Sequence, residues 1–166
     1  MSTTTASTTT LPGNDNQALA IGSFAVDFMR DGVGTPSPAV HDRTKKFFAD
    51  AALCGLSAIA VKTNSPTVLR EEALDFPAEG GAGATVFGRA VLVRPEKAIL
   101  ANCAAVREWD SNGTNFGFNP ALGNIAGEFG HNDFYAVPVA AAQMMGLDGT
   151  AALRGMILLD EIRGRL

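Results

Sequence analysis

Apolar residues recur three or four positions apart in several stretches of the chain, the spacing that puts them on one face of an α-helix. The first stretch follows Asp15 and Asn16, either of which can cap a helix that runs to about Arg30. A second begins at Ser37-Pro38, where the serine hydroxyl can cap the first turn and the proline has no N–H to lose. Its predicted inner face comprises Val40, Thr44, Phe47, Phe48, Ala51, Gly55 and Ile59.

The remaining pattern predicts further helices and one pair of strands. One or two helical turns are predicted between Val68 and Leu74. β-Branched residues on both sides of Gly88-Arg89 predict a small β-hairpin, with Gly88 at the first turn position of a type II′ turn. Pro95 opens a helix to about Trp109, and two more are predicted over 137–145 and after Asp148. The predicted fold class is mainly α, as part of an all-helical domain with one small β-hairpin.

The two ends of the chain differ in character. Residues 1–14 begin MSTTTASTTT and lack the charged start and apolar core of a secretory signal, so they are predicted to be a disordered tail. At Leu166 an apolar helical pattern is still running. We therefore expect the helical domain to be truncated, with 15–166 forming its N-terminal portion. No apolar stretch reaches about 18 residues, so no membrane span is predicted.

Composition narrows the classes of function. The net charge is −4 and no basic cluster is longer than Lys45-Lys46, which argues against a nucleic-acid partner. Cys54 and Cys103 lie in apolar runs, as expected of buried, reduced thiols in a cytoplasmic protein. Two cysteines are too few for the usual iron–sulfur cluster of a hydratase. No metal or other cofactor is predicted. Residues 80–84 read GGAGA, an incomplete match to a phosphate-binding loop, which leaves nucleotide binding as a remote alternative.

The chemistry is predicted to lie in the long polar stretch at 110–132, since loops of this length in a compact domain are often functional. Asp110 closes the preceding helix, Thr114 follows within one turn, and His131 ends the stretch. A carboxylate, a hydroxyl and an imidazole can together accept, donate and carry protons near neutral pH. His41, in the first turn of its helix beside a charged pair, is interpreted as structural or exposed.

The same region resembles the MmgE/PrpD family, whose members include 2-methylcitrate dehydratase. AILANCAAVREWDSNGT resembles the family's AALANGTAAHALDFDDT, and GEFGHND, VPVAAAQMMGL and LLDEIRGRL follow in the family's order. Upstream, FFADAALCGLSAIA resembles an early family helix, with Asp50 on its aspartate, and ATVFGRAVLV resembles the small hairpin. The resemblance covers about 18–166. It departs at Ser111, Asn112 and Gly113, where many members have Phe, Asp and Asp, and in a longer loop before His131.

The resemblance implies a metal-independent lyase that removes water from a hydroxy-tricarboxylate, as in propionate metabolism, within a cytoplasmic homodimer. It implies catalytic roles for Asp110 and His131, and substrate binding by Thr114, Asn112 and Asn132. Family members have a second, α/β lid domain and further pocket residues downstream, so this chain alone carries part of a site. Two alternatives stay open. One is decarboxylation of a cis-aconitate-type tricarboxylate, and the other is a non-catalytic helical protein that self-associates.

Overall fold

The computed structural model describes residues 13–14, 16–31, 33–111, 120–123 and 130–164. These residues are mainly helical, with one small antiparallel pair of strands, as the sequence predicts. In chain order the elements are α1 (Gln17–Met29), α2 (Pro38–Ala60), α3 (Asn64–Leu74), β1 (Ala84–Thr85), β2 (Leu92–Val93), α4 (Pro95–Arg107), α5 (Ala136–Met144) and α6 (Gly149–Arg163), with 3₁₀ helices at Pro120–Leu122 and His131–Tyr135. Residues 1–12, most of the predicted disordered tail, lie outside the described residues.

Three helices begin at the caps that the sequence predicts. Asn16 Oδ1 accepts a hydrogen bond from the backbone N–H of Leu19 at the start of α1. Ser37 Oγ accepts one from Val40 ahead of Pro38 at the start of α2. Asp148 Oδ1 accepts bonds from two backbone N–H groups at the start of α6. Each cap satisfies backbone donors that have no partner inside the helix, which is why short polar residues mark these boundaries.

Small side chains line the contact between α2 and α4, the two helices at the centre of the fold. On α2 the buried positions are Thr44, Ala51, Gly55 and Ala58, and on α4 they are Ala98, Ala101, Asn102, Ala105 and Val106. Gly55 is required by close packing, because a Cβ there would lie 2.8 Å from a ring carbon of Phe87 and 3.4 Å from Val106. The Ala- and Gly-rich composition thus reflects close approach of helices.

The hairpin forms, but its turn differs from the predicted one. Ala84 pairs with Val93 and Thr85 with Leu92, so the strands are joined by six residues. The N–H of Arg89 donates to the carbonyl of Val86, and Gly88 has φ +73°. Gly88 is therefore the third residue of this turn, where a type II turn needs positive φ, and the predicted type II′ position was wrong. The longer connection places Val86 in the core and the Phe87 ring beside Gly55 of α2.

Three other predictions of local structure differ from the structure in their bounds. The turns expected over 68–74 are the end of the eleven-residue helix α3, which starts at Asn64 and holds Pro66 in its first turn, where a missing N–H costs nothing. Residues 131–132 were expected in a loop, whereas they open the 3₁₀ helix His131–Tyr135. The predicted helix over 137–145 is observed one residue earlier, as α5. Nothing in the described helices has both the length and the apolar character needed to cross a bilayer.

Arg154 of α6 attaches the C-terminal end of α1 to the fold. Its Nε donates to the carbonyl oxygen of Phe28 at 2.7 Å, its Nη2 contacts the same oxygen, and its Nη1 lies 2.6 Å from Asp31 Oδ1. The guanidinium also lies over the Phe28 ring, 4.5 Å from the centroid. A cation that binds the last carbonyls of a helix also interacts favourably with the helix dipole. One side chain of α6 thus makes hydrogen bonds, an ion pair and a ring contact with the end of α1.

Candidate functional site

Asp110 lies just beyond α4, in a left-handed backbone conformation with φ +47°. Its N–H donates to the carbonyl of Arg107, and aspartate is one of the few residues that adopt this conformation readily. Its carboxylate Oδ1 is 2.7 Å from Nη1 of Arg107, and the side chain is 71 % exposed. The carboxylate predicted to act in catalysis is therefore at the surface and held by the last residue of the helix.

The same Arg107 nitrogen also contacts the segment that starts at Gly130. Asp133 is buried, and its Oδ2 lies 3.4 Å from Arg107 Nη1. Its N–H donates to the carbonyl of Gly130, which has φ +73°. A Cβ at Gly130 would lie 2.7 Å from Asp133 Oδ2 and 3.1 Å from Arg107 Nη1. Glycine suits this position, because its backbone lies in the left-handed region and a Cβ would crowd the ion pair.

The structure thereby connects two of the regions predicted to act together. His131 is the first residue of the 3₁₀ helix that contains Asp133, so its backbone is two residues from a carboxylate bound to Arg107. Asp110 is bound to that same guanidinium. Asp110 and Asp133, twenty-three positions apart in sequence, thus contact the same arginine. Thr114 and Asn112, the other predicted contacts of the substrate, lie outside the described residues.

Asn132, also predicted to bind substrate, is completely buried. Its Nδ2 donates to the backbone carbonyl of Phe47 and to Oδ2 of Asp50, each at 3.4 Å. Both acceptors belong to α2, and Asp50 is the residue that matches the aspartate of the family's early helix. Asn132 therefore fixes the 3₁₀ helix against α2 and thereby fixes the backbone beside His131.

A cavity of about 190 Å³ lies on the other side of Asn132, between α2, the turn at 86–89, α4, the 3₁₀ helix and α5. Most of its lining is apolar. The lining residues are Phe48, Ala51, Ala52, Thr85, Val86, Phe87, Gly88, Arg89, Asn102, Val106, Asn132, Tyr135, Ala136 and Val139. Asn132 thus both attaches the 3₁₀ helix to α2 and lines a mostly apolar cavity.

Asp160 of α6 is a partly buried acid that contacts the 3₁₀ helix. Tyr135 donates a hydrogen bond from its hydroxyl to Oδ2 of Asp160 on α6, at 2.6 Å. Oδ1 of Asp160 is buried and receives no hydrogen bond from the described residues. Burial raises the pKa of Asp160 from 3.8 to about 6, against the lowering effect of the tyrosine hydrogen bond. Burial, and then the Asp160 charge, raise the pKa of Tyr135 well above its ordinary value.

Cys103 of α4 is a structural thiol. Burial, and secondarily the charge of Asp133, raise the pKa of its thiol to about 11. A thiol with this pKa is protonated at neutral pH and is a poor nucleophile. Cys54 lies 3.9 Å from Ser111 Oγ, at sulfur–oxygen hydrogen-bond range. Within the described parts of the chain, no three His, Cys, Asp or Glu side chains are grouped so that they could hold a metal ion.

Sequence reasoning missed the central roles of Arg107 and Asp133. Neither residue is among the candidate site residues that the sequence predicts. A basic residue in the last helical turn interacts favourably with the helix dipole. This interaction alone can explain an arginine at the end of α4, so the sequence does not single out Arg107. The one available signal was Gly130, because a glycine directly before a polar run suggests a backbone that must approach another group closely.

Comparisons with protein-family models, with curated proteins and with solved structures gave no match to this chain. The resemblance to the MmgE/PrpD family therefore stands only on the residues quoted above.

Proposed function

We propose that this chain forms part of a metal-independent lyase resembling 2-methylcitrate dehydratase, which abstracts a proton from a tricarboxylate-type substrate and expels water. The observation that carries the proposal is the shared guanidinium of Arg107. It binds Asp110 at 2.7 Å and, at 3.4 Å, the carboxylate two residues beyond His131. Asp110 and His131, which are suited to acid and base chemistry, thus belong to two segments that are distant in sequence. One ion-pair network joins these segments.

In this proposal Asp110 and His131 exchange protons with the substrate. Loss of water requires a base for the proton on the carbon next to a carboxylate, and an acid for the departing hydroxyl on the neighbouring carbon. Thr114 and Asn112 orient the substrate from the same loop. Asn132, whose amide is engaged by Phe47 and Asp50, contributes by holding the backbone of the catalytic segment.

The substrate's carboxylates need cationic partners from elsewhere in the protein. Arg107 already faces two carboxylates, whose combined negative charge exceeds its single positive charge, so a third carboxylate would be repelled there. The resemblance implies further lysine and histidine residues downstream, in a longer polypeptide with a lid domain. The proposal therefore assigns this chain the proton-transfer side of the site, in a homodimer whose remaining segments supply the anion-binding side.

A non-catalytic, self-associating protein is the second candidate, and the exposed apolar side chains favour it. Leu19 of α1, Leu53 of α2 and Met145 after α5 are each about two-thirds exposed. Single exposed apolar side chains are common, so this candidate requires that some of them form one patch that contacts another protein. This candidate predicts association without any chemistry on tricarboxylates.

The test is turnover of a substrate panel by the full-length protein, followed by proton NMR. With 2-methylcitrate or citrate, the proposal predicts an unsaturated tricarboxylate formed by loss of water. Loss of carbon dioxide from cis-aconitate would assign the decarboxylase alternative instead. A folded protein that consumes none of these compounds but sediments as a stable oligomer would contradict the lyase proposal and favour the second candidate.

A further inference from the structure

The cavity beside Asn132 has properties that the lyase proposal does not use. We infer that it is a binding site for a small monocarboxylate with a compact apolar body, of the size of benzoate. The inference is independent of the proposed reaction. Protein interiors are packed as densely as organic crystals and seldom keep voids larger than a water molecule. A space of about 190 Å³ between five elements is therefore unusual for a packed interior, and it has the concave, apolar character of a ligand site.

The wall formed by the turn at 86–89 is held open by specific contacts. Asn102 Oδ1 accepts from the N–H of Phe87 at 2.9 Å, and its Nδ2 donates to the carbonyl of Thr85 at 3.0 Å. The Phe87 ring packs against Gly55, where a Cβ would lie 2.8 Å from a ring carbon. Because both the backbone and the ring are fixed, the wall cannot collapse into the space. Such a cavity is preorganised, which lowers the cost of binding a ligand.

The lining determines the chemistry of the ligand. Apolar and aromatic side chains supply most of it, and the amides of Asn102 and Asn132 are hydrogen-bonded to the protein. Arg89 is the one charged residue among the lining residues that the structure describes. It lies with Gly88 at the exposed edge, where its guanidinium is 3.4 Å from Glu71. A ligand with an apolar body inside and a carboxylate at the edge matches this distribution.

The volume limits the size of the apolar part. An engineered, apolar cavity of about 150 Å³ in another protein binds benzene, so a space of this kind holds about one aromatic ring. A tricarboxylate fits neither the volume nor the apolar lining, because burying its charges there without partners would be costly. The proposed ligand is therefore distinct from the proposed substrate.

Benzoate is the probe, and benzamide is its neutral control of the same shape. We expect saturable binding of benzoate to the full chain in ¹H–¹⁵N NMR titrations, with the largest shifts at the amides of Phe87 and Gly88. Benzamide should bind roughly fivefold more weakly, because it cannot form an ion pair with Arg89 and one partly exposed ion pair contributes about this factor. Arg89→Gln should weaken benzoate by a similar factor and leave benzamide unchanged.

Two cavity-filling variants test the location. Ala52→Leu and Ala136→Leu should each weaken benzoate at least tenfold, whereas Ala60→Leu, at an exposed position of the same helix as Ala52, should not. Two filling variants are used so that misfolding of one leaves the other. Absence of saturable binding to the wild-type chain would overturn the inference. So would filled variants that bind as well as wild type, or equal affinity for benzoate and benzamide.

Discussion

Replacing Asp160 with asparagine should make the protein more stable at neutral pH and leave its stability near pH 4 almost unchanged. The carboxyl belongs to α6 and its Oδ1 is buried, while its Oδ2 accepts one hydrogen bond from the Tyr135 hydroxyl. A neutral amide of the same shape can still accept that bond through its oxygen. It does so without the cost of burying a charge.

The sign and size of the effect come from the pKa of Asp160. Because the folded pKa lies at about 6, above its ordinary 3.8, this group's contribution is fully present below pH 3.8 and lost as pH rises through about 6. At roughly 1.4 kcal/mol per pKa unit the loss is at most about 3 kcal/mol. Partial exposure of the carboxyl reduces it to about 2 kcal/mol. This corresponds to a rise of about 4–8 °C in the Tm of the Asp160→Asn variant at neutral pH.

The assay is urea unfolding of the wild-type chain and the variant at several pH values between about 4 and 8. The difference in unfolding free energy between the two proteins isolates the Asp160 contribution from all other carboxyl groups. Asp27→Asn, an exposed change of the same kind on α1, should shift the free energy by less than about 0.5 kcal/mol at every pH. A variant that is no more stable than wild type at pH 7.5, or a difference that stays constant with pH, would refute the reasoning.

Three further substitutions test the packing. Arg154→Ala should cost about 1–3 kcal/mol and speed hydrogen exchange selectively in α1, because it removes the hydrogen bonds to Phe28 and the stacking on its ring. Gly55→Ala should cost about 1–3 kcal/mol in urea unfolding despite the better helix propensity of alanine, since the new methyl meets the Phe87 ring. Asn102→Ala should cost about 2–3 kcal/mol by calorimetry, because two buried hydrogen bonds to the hairpin are lost.

Each of these substitutions also has an outcome that contradicts it. Uniform acceleration of exchange across all helices would show that Arg154 does not act on α1 in particular. A Gly55→Ala variant as stable as wild type would show that Phe87 moves away freely. Asn102→Asp keeps an oxygen that can accept a hydrogen bond from the Phe87 N–H. If Asn102→Asp is only as stable as Asn102→Ala, that hydrogen bond is not the main contribution of Asn102 to stability.

The helical architecture could be predicted because its signals are local. Ser37 followed by Pro38, and Asp148 before an apolar repeat, each mark a helix start through a bond within four residues. The inner face of α2 was predicted to include Thr44, Ala51 and Gly55, and these are buried. A helix face depends only on the spacing of side chains along the chain, which the sequence carries directly.

The candidate site could be predicted only in part, because its contacts are long-range. The position of Asp110 after a helix follows from local pattern, but its connection to the 3₁₀ helix depends on Arg107 reaching Asp133 across the fold. The Tyr135–Asp160 pair and the attachment of Asn132 to α2 join residues far apart in sequence. Periodicity gives no information about such pairs, since they arise from how the elements pack.

The most direct test of the proposed function is the kcat of the protein with the proposed tricarboxylate substrate after removal of each proposed proton carrier. His131→Ala and Asp110→Asn are each predicted to lower kcat by about 10²–10⁴-fold, as expected for a general acid or base. His41→Ala and Asp75→Asn, the same chemical changes at positions outside the candidate site, are predicted to keep nearly full activity. Losses in kcat of less than about tenfold for both His131→Ala and Asp110→Asn would contradict the proposed function, because removal of a general acid or base lowers kcat by much more.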